Sequence, residues 1–307
     1  MTRALIVTNP TAARAGARGL KAARRRFERA GIRVHVERTH AIGDGAALAR
    51  SAVADGVELI VAHGGDGTAM DVAAGLVGTG RPLGLLSGGT GNVLAGNLGV
   101  SRSFVTAADT IVAGATRTID LGQLTTASGM RYFAVNAATG FAADLMAQTA
   151  QRHKRRFGVA AYVVRAFVLA ADLVRATCRV EVDGVVHEGH AVTVLVANCG
   201  QIVPGILPLG AHIEPDDGAL DIVVLDATSY AAAMRVVWRL FQRRPQADSG
   251  ITFYRGASVR VTTEPTLPVQ SDGDGLGTTP FGVELLPRGL SVYVPGRRRT
   301  SWGFGAS

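Results

Sequence analysis

The alternation of short aliphatic runs with helical segments over residues 1 to about 122 narrows the fold of this chain more than any other feature. Residues 4–8, 34–37, 58–63, 83–86 and 117–121 read as strands, and residues 14–30, 44–54, 68–77, 92–98 and 104–113 as helices. A parallel strand neighbour needs a long crossover, so strands joined through helices pair in parallel and the helices cover the faces of the sheet. An α/β N-terminal domain with a parallel sheet is expected over residues 1–124.

The pattern changes after Gly122. Short runs rich in Val and Thr follow at 132–136, 179–182, 192–197, 220–225, 259–262, 281–285 and 290–294, separated by Gly, Pro and Asp. Helical candidates are fewer, at 158–174 and 230–243. This spacing predicts a β-rich C-terminal domain over 125–307, built as a two-sheet antiparallel sandwich. The tail 297–307 has no periodicity and is expected to be mobile or to pack back on the first domain.

Composition limits the setting. With 307 residues, 47% of them hydrophobic, the chain can bury one large core or two medium ones. Cys178 and Cys199 are the only cysteines, too few for a disulfide framework and suited to a reducing cytoplasm. The apolar run at residues 4–8 is too short for the core of a signal peptide. The longest apolar stretch, 158–174, is broken by Arg165 and Asp172 and falls short of the ~20 residues a spanning helix needs. A soluble, cytoplasmic chain is expected. Its net charge of +8 favours anionic partners: nucleotide, nucleic acid or anionic lipid.

The strongest local signal is Gly64-Gly65-Asp66-Gly67-Thr68, placed where a strand ends and a helix begins. Ligands of open parallel sheets bind at the carboxyl ends of the strands. Glycines admit close backbone approach, and a helix N-terminus favours phosphate. An Asp among phosphates is repelled by them unless a magnesium ion lies between. Alone, the motif reads first as a tight turn with a capping residue. A second glycine-rich turn, Ser87-Gly88-Gly89-Thr90-Gly91-Asn92, follows the next strand, and Asn9-Pro10 follows the first. Three such loops on one edge favour a nucleotide site over simple turns.

Other residues narrow the chemistry. Lys21 and Lys154 are the only lysines, and neither lies in a glycine-rich loop. That excludes a P-loop and the strand lysine of a protein kinase. His187-Glu188-Gly189-His190 lacks zinc-helix spacing and reads as exposed strand. Ser271-Asp272-Gly273-Asp274 puts two carboxylates around a glycine. By spacing this is first a hairpin turn, and second a source of the base that an attacking hydroxyl needs.

Together with Ile119-Asp120 and Pro215-Asp216-Asp217-Gly218-Ala219-Leu220-Asp221, these motifs occur in the order found in the diacylglycerol kinase catalytic-domain family. The chain resembles that family, which includes bacterial lipid kinases and sphingosine kinases, from Asn9 to about Pro295. The Gly-Gly-Asp-Gly-Thr element is shared with NAD kinases, whereas the two later motifs point to lipid kinases. The resemblance implies an ATP- and magnesium-dependent kinase of a lipid hydroxyl, most simply diacylglycerol giving phosphatidic acid. It implies ATP contacts from Asn9, Thr39, Gly64, Gly65, Asp66, Gly67, Thr68, Ala69, Met70 and Thr90. Asp66 and Asp120 would hold the catalytic magnesium through water. Asp217, with the carbonyls of Glu214 and Ala219, would hold a structural one. Asp272 and Asp274 match an Asp-Gly-Glu motif whose acidic residue is the base. Three departures stand out: Val93 follows Asn92 where the family often has Asp, Asp71 replaces a Glu, and Asp274 is one methylene shorter than the usual Glu. The shorter side chain makes Asp272 the first choice for the base and Asp274 the second.

The densest positive run, Arg152-His153-Lys154-Arg155-Arg156-Phe157, reads as a solvated segment or as contact with anionic lipid. In residues 230–243, Trp238 and Phe241 lie among arginines and read first as core residues. No nucleic-acid-binding motif is present. The expected partners are therefore ATP and a lipid at the membrane surface, with peripheral association; a homodimer is left open. The rivals are a kinase of a soluble acceptor such as NAD and a non-catalytic nucleotide-binding protein of the same fold.

Overall fold

A computed structural model describes residues 2–10, 16–89, 91–140, 174–203, 207–208, 213–229, 232 and 250–296. The expected helices at 158–174 and 230–243, apart from Val174 and Ala232, lie outside the described residues. So do the basic run 152–157, the tail 297–307 and Thr90.

The first strands are β1 (Arg3–Thr8), β2 (Arg33–Arg38), β3 (Leu59–Gly64) and β4 (Leu83–Ser87), paired in parallel in the order β2-β1-β3-β4. Residues Ala4 to Val7 are all buried, as befits a strand covered on both faces. The crossovers carry α1 (Ala17–Arg29), α2 (Asp44–Ala54), α3 (Asp66–Leu76), α4 (Val93–Asn97) and α5 (Phe104–Ala113). Helices α2 and α3 pack so tightly that a methyl at Gly75 would lie 2.4 Å from the Ala46 carbonyl oxygen. Helix α3 starts at Asp66, two residues before the start read from the sequence. Extended Gly65 precedes the helix, and a carboxylate in the first turn is favoured by the helix dipole.

The chain then forms β5 (Thr116–Thr126), β6 (Gly129–Phe133), β7 (Asn136–Gly140), β8 (Ala176–Val182), β9 (Val185–Ala191) and β10 (Thr193–Ala197). After short β11 (Gln201–Val203) and β12 (Leu207–Pro208) come β13 (Leu220–Leu225), β14 (Ile251–Gly256) and β15 (Ser258–Glu264). The last are β16 (Pro268–Ser271), β17 (Asp274–Thr278) and β18 (Phe281–Tyr293). The expected sandwich is present. An antiparallel sheet ordered β14-β13-β10-β7-β16-β17 packs on strands β5, β6, β8, β15 and β18. Its core draws Val194, Val196, Ile222 and Val269 from one sheet and Leu124, Val180, Val261 and Val283 from the other.

Two differences from the sequence reading bear on the site. The single strand expected at 132–136 is two strands, β6 and β7, interrupted at Ala134 and Val135. The N–H groups of Ala134, Val135 and Asn136 are taken instead by the Asp272 carboxylate, at 3.0–3.1 Å. The runs at 281–285 and 290–294 belong to one long strand, β18. It pairs with β15 at its start, runs antiparallel to β5 along its length, and reaches β4 in parallel at Val292↔Leu83. One ten-stranded sheet therefore runs from β2 to β9, and Leu290, Val292 and Tyr293 join the core of the first α/β layer.

Candidate active site

The crevice lies at the carboxyl ends of β1, β3 and β4. The turns after β3 and β4 are fastened together, with Gly88 N–H donating to the Gly64 carbonyl at 2.8 Å. A methyl at Gly89 would lie 2.5 Å from Gly65 Cα, so these loops meet backbone to backbone and only glycine fits. Asn92 adopts a left-handed conformation (φ 49°) and closes its own turn. Its Oδ1 accepts from Gly89 N–H at 3.1 Å and its Nδ2 donates to the Gly89 carbonyl at 2.7 Å. Beside them, Asn9 N–H donates to the His63 carbonyl at 3.2 Å, and Thr39 N–H to the Thr8 carbonyl at 3.1 Å. The structure thus brings Asn9, Thr39 and Gly64 to Thr68 to one edge. The Ala69 and Met70 side chains are buried in the α/β core, so what they can offer the crevice is backbone.

Asp66 sits in the first turn of α3. Its Oδ1 accepts the Leu94 N–H at 3.0 Å, and its Oδ2 would lie 3.1 Å from a methyl at Gly91. Across from it stands the β16–β17 turn, with Asp272 at φ 46° and Gly273 at φ 95°. Asp272 keeps some surface exposure, but its carboxylate is enclosed. Desolvation pushes its pKa up to about 7; the N–H groups of 134–136 oppose that shift, and the nearby Asp66 charge adds to it. Two mutually repelling carboxylates beside a phosphate-type loop fit a divalent cation in donor chemistry and charge.

Asp274 is exposed and faces the first glycine-rich loop. Its Oδ2 is 3.3 Å from Arg131 Nη1 and would lie 3.3 Å from a methyl at Gly67. The hairpin therefore presents its two acids in opposite ways. Asp272 turns inward to fasten the β6–β7 joint, and Asp274 turns outward toward the N-terminus of α3.

Asp120 is buried at the middle of β5. Its Oδ1 accepts Arg288 N–H at 2.7 Å, its Oδ2 accepts Gly218 N–H at 2.9 Å, and its own N–H donates to the Pro215 carbonyl at 2.6 Å. It ties β5 to the Glu214-containing loop and to β18, leaving each oxygen further lone-pair capacity for water. Asp217 accepts N–H groups from Glu214 (3.4 Å) and Ala219 (3.2 Å), and pairs with Arg255 at 2.8 Å. The Glu214 carboxylate is held by Arg117 at 2.7 Å. Nearby, buried Asp221 Oδ2 has no hydrogen-bond partner among the described residues. Burial raises the Asp221 pKa, and the Asp217 charge adds to this against Arg255. A cation beside Asp217 and Asp221 would satisfy that oxygen, although Arg255 already supplies one positive charge there. Among the described residues, no three His, Cys, Asp or Glu side chains converge as a metal cluster.

Three residues here were not visible as site residues in the sequence. Arg131 stands in an ordinary strand. Asn198 donates to the carbonyls of both Asp120 and Ala134, at 2.8 and 2.9 Å, joining the two halves of the molecule. Buried His63 bonds Thr8 Oγ1 through Nδ1 at 2.8 Å, and burial lowers its pKa. Only for His63 was there a signal, its place directly before the glycine motif.

Two family models match the chain: the diacylglycerol kinase catalytic domain over residues 3–124 and the YegS C-terminal NAD kinase beta sandwich-like domain over 136–294. A diacylglycerol kinase of Bacillus subtilis is 29% identical over 299 residues, covering 96% of this chain and 97% of that one. One from Mycobacterium tuberculosis is 28% identical over 216 residues, covering 70% and 69%. An uncharacterized Synechocystis protein is 30% identical over 218 residues; that match covers 70% of this chain and about half (49%) of the relative. A crystal structure of a Bacillus anthracis diacylglycerol kinase superposes with a TM-score of 0.72 at 22% identity, over 95% of this chain and 97% of that one, a likeness of fold. No helix among the described residues is long and apolar enough to cross a membrane. With both halves matched in order, and with the Asp66 turn and the Asp272–Asp274 hairpin facing each other where the two meet, the chain belongs to the diacylglycerol kinase catalytic-domain family.

Proposed function

We propose that this chain is an ATP-dependent lipid kinase, and that its acceptor is diacylglycerol, giving phosphatidic acid. The observation that carries the reading is Asp274 Oδ2 facing Gly67 across the crevice. An acceptor held there has a carboxylate on one side and a phosphate-binding helix terminus on the other. The diacylglycerol kinases of similar sequence support the choice of lipid.

The α/β domain, residues 1–124 in this reading, binds the nucleotide through the backbone of Gly64 to Thr68 and of the Gly89 turn, flanked by Asn9 and Thr39. Residues 125 onward, except the end of β18, supply the base and the lipid contacts. The acceptor oxygen attacks the γ-phosphorus, the bond from that phosphorus to the β–γ bridging oxygen breaks, and the hydroxyl proton passes to a carboxylate. ADP and the phosphorylated lipid result. Magnesium, bound near Asp66, would supply charge neutralisation of the triphosphate.

Geometry reverses the preference between the two acids. The Asp272 oxygens already accept three backbone N–H groups, whereas Asp274 is exposed toward Gly67. We therefore assign the base to Asp274 and give Asp272 the task of holding the hairpin. The test is incubation with γ-labelled ATP, NAD and a mixed lipid extract on vesicles, followed by separation of the lipids and the nucleotides. Labelled phosphatidic acid is the expected product. Label in NADP alone, or in no product, would overturn the reading.

A further inference from the structure

We propose that Arg131 binds the γ-phosphate of the nucleotide and releases or shares Asp274 when ATP enters the crevice. This deepens the kinase reading above and rests on it. Arg131 lies in β6, and its side chain is about one-third exposed (34%). Its Nη1 is 3.3 Å from Asp274 Oδ2, and that same oxygen would lie 3.3 Å from a methyl at Gly67, in the first turn of α3. The guanidinium therefore stands one side chain away from the helix terminus that would receive the phosphates.

Charge makes the position significant. A triphosphate entering the crevice meets Asp66, Asp272 and Asp274, and among the described residues no lysine pairs with any of these acids. Lys21 lies in α1 beside β2, and Lys154 is outside the described residues. Other arginines are committed elsewhere: Arg117 to Glu214 and Asp216, and Arg255 to Asp217. Arg102 donates to the Gly91 carbonyl and so binds backbone of the second loop. Of these, only Arg131 has a carboxylate partner that itself faces the start of α3.

The existing pair suits exchange. One contact of 3.3 Å between partly exposed groups is longer than a well-formed charge-assisted hydrogen bond and is held weakly. A guanidinium carries five N–H donors in a fork that matches phosphate, so it can keep one nitrogen on Asp274 while others meet phosphoryl oxygens. In that arrangement Arg131 holds the base beside the phosphorus that the acceptor hydroxyl attacks. The competing account is a plain ion pair that fastens the β16–β17 hairpin to β6.

The experiment compares binding of magnesium–ADP and of a non-hydrolysable magnesium–ATP analogue to the full chain. Wild type, Arg131→Gln, Arg131→Lys and Asp274→Asn are each checked for folding by thermal melt. Losing one charged contact to the γ-phosphate should weaken the ATP analogue about tenfold in Arg131→Gln and leave ADP nearly unchanged. Arg131→Lys should recover part of the loss. Asp274→Asn breaks the same ion pair but frees the guanidinium, so the ATP analogue should bind as tightly as to wild type or more tightly. Equal weakening of both nucleotides in Arg131→Gln and Asp274→Asn would mean the pair is only structural and would overturn the proposal. An unchanged ATP-to-ADP ratio in Arg131→Gln overturns it too, with the kinase reading intact. If the wild-type chain binds neither nucleotide, both readings fall.

Discussion

The two walls of the crevice are made of different material. The glycine-loop wall is backbone: Gly64, Gly65, Gly88 and Gly89, with Asn92 closing its own turn three residues from Gly89. The opposing wall is made of side chains from distant segments. Asp272 binds N–H groups 136 to 138 positions away, and Asp274 meets an arginine 143 positions away. At Gly64 and Gly89 the backbone wall leaves no room for an added methyl, and it does not depend on which acid stands opposite. A side-chain wall can exchange one residue for another and change its chemistry. This contrast separates positions that should fail by steric exclusion from those that should fail by loss of charge.

The largest effect is expected where the walls meet. Asp66→Ala should reduce phosphoryl transfer to background while the protein still melts cooperatively, because Asp66 is half-buried in the first turn of α3, binds Leu94 N–H and fills no core position. Near-normal turnover in the folded variant would remove Asp66 from the chemistry and make the first loop only a turn.

On the opposing wall, the two acids should part company. Asp274→Asn keeps shape and loses basicity, and a positioned base contributes about 10²–10⁴-fold. That loss should appear in kcat with nucleotide affinity retained. Asp272→Asn should cost far less turnover. If Asp272→Asn proves the more damaging at saturating ATP, in a protein of normal melting temperature, the assignment of the base is reversed.

Gly89→Ala probes the backbone wall. Its methyl would sit 2.5 Å from Gly65 Cα, so one of the two turns must move. About tenfold weaker ATP binding is expected, in the range that overpacking costs of 1–3 kcal/mol imply. Wild-type affinity measured by calorimetry would mean that the turns are looser than their contact suggests.

The smallest effect concerns pH. The Asp272 pKa is raised from 3.8 to about 7, chiefly by desolvation, so the folded state holds a proton that the unfolded chain gives up near pH 4. Its contribution to stability is present below pH ~4 and is lost as pH rises through about 7. Other carboxylates shift the opposite way: Arg117 lowers Asp216, and Arg175 lowers Asp226. The difference between wild type and Asp272→Asn therefore isolates the group. Without magnesium, wild type should lose melting temperature relative to Asp272→Asn between pH 4 and 7. Parallel curves would indicate that the Asp272 carboxylate is better compensated than its burial implies.

How much could be read in advance follows the same division. The parallel sheet was legible because Ala4 to Val7 form a run buried on both faces, and the glycine turns because their contacts are local in the chain. The break at Ala134 and Val135 was not legible, since those N–H groups leave the ladder for a carboxylate more than a hundred residues away. Nor was the return of β18 to β4, because nothing in Leu290 to Val292 distinguishes a sandwich strand from one that crosses into another layer.

What the amino-acid order determined by itself is therefore the periodicity, the layer type and the presence of a phosphate-type loop, all consequences of residues within a few positions of each other. Tertiary structure alone decided which acid of the Asp272–Asp274 turn faces the crevice. One residue separates them, and their opposite directions come from Asp272 being captured by the β6–β7 backbone while Asp274 is left beside Arg131 and Gly67. Such a choice depends on long-range hydrogen bonds that a local sequence pattern does not encode.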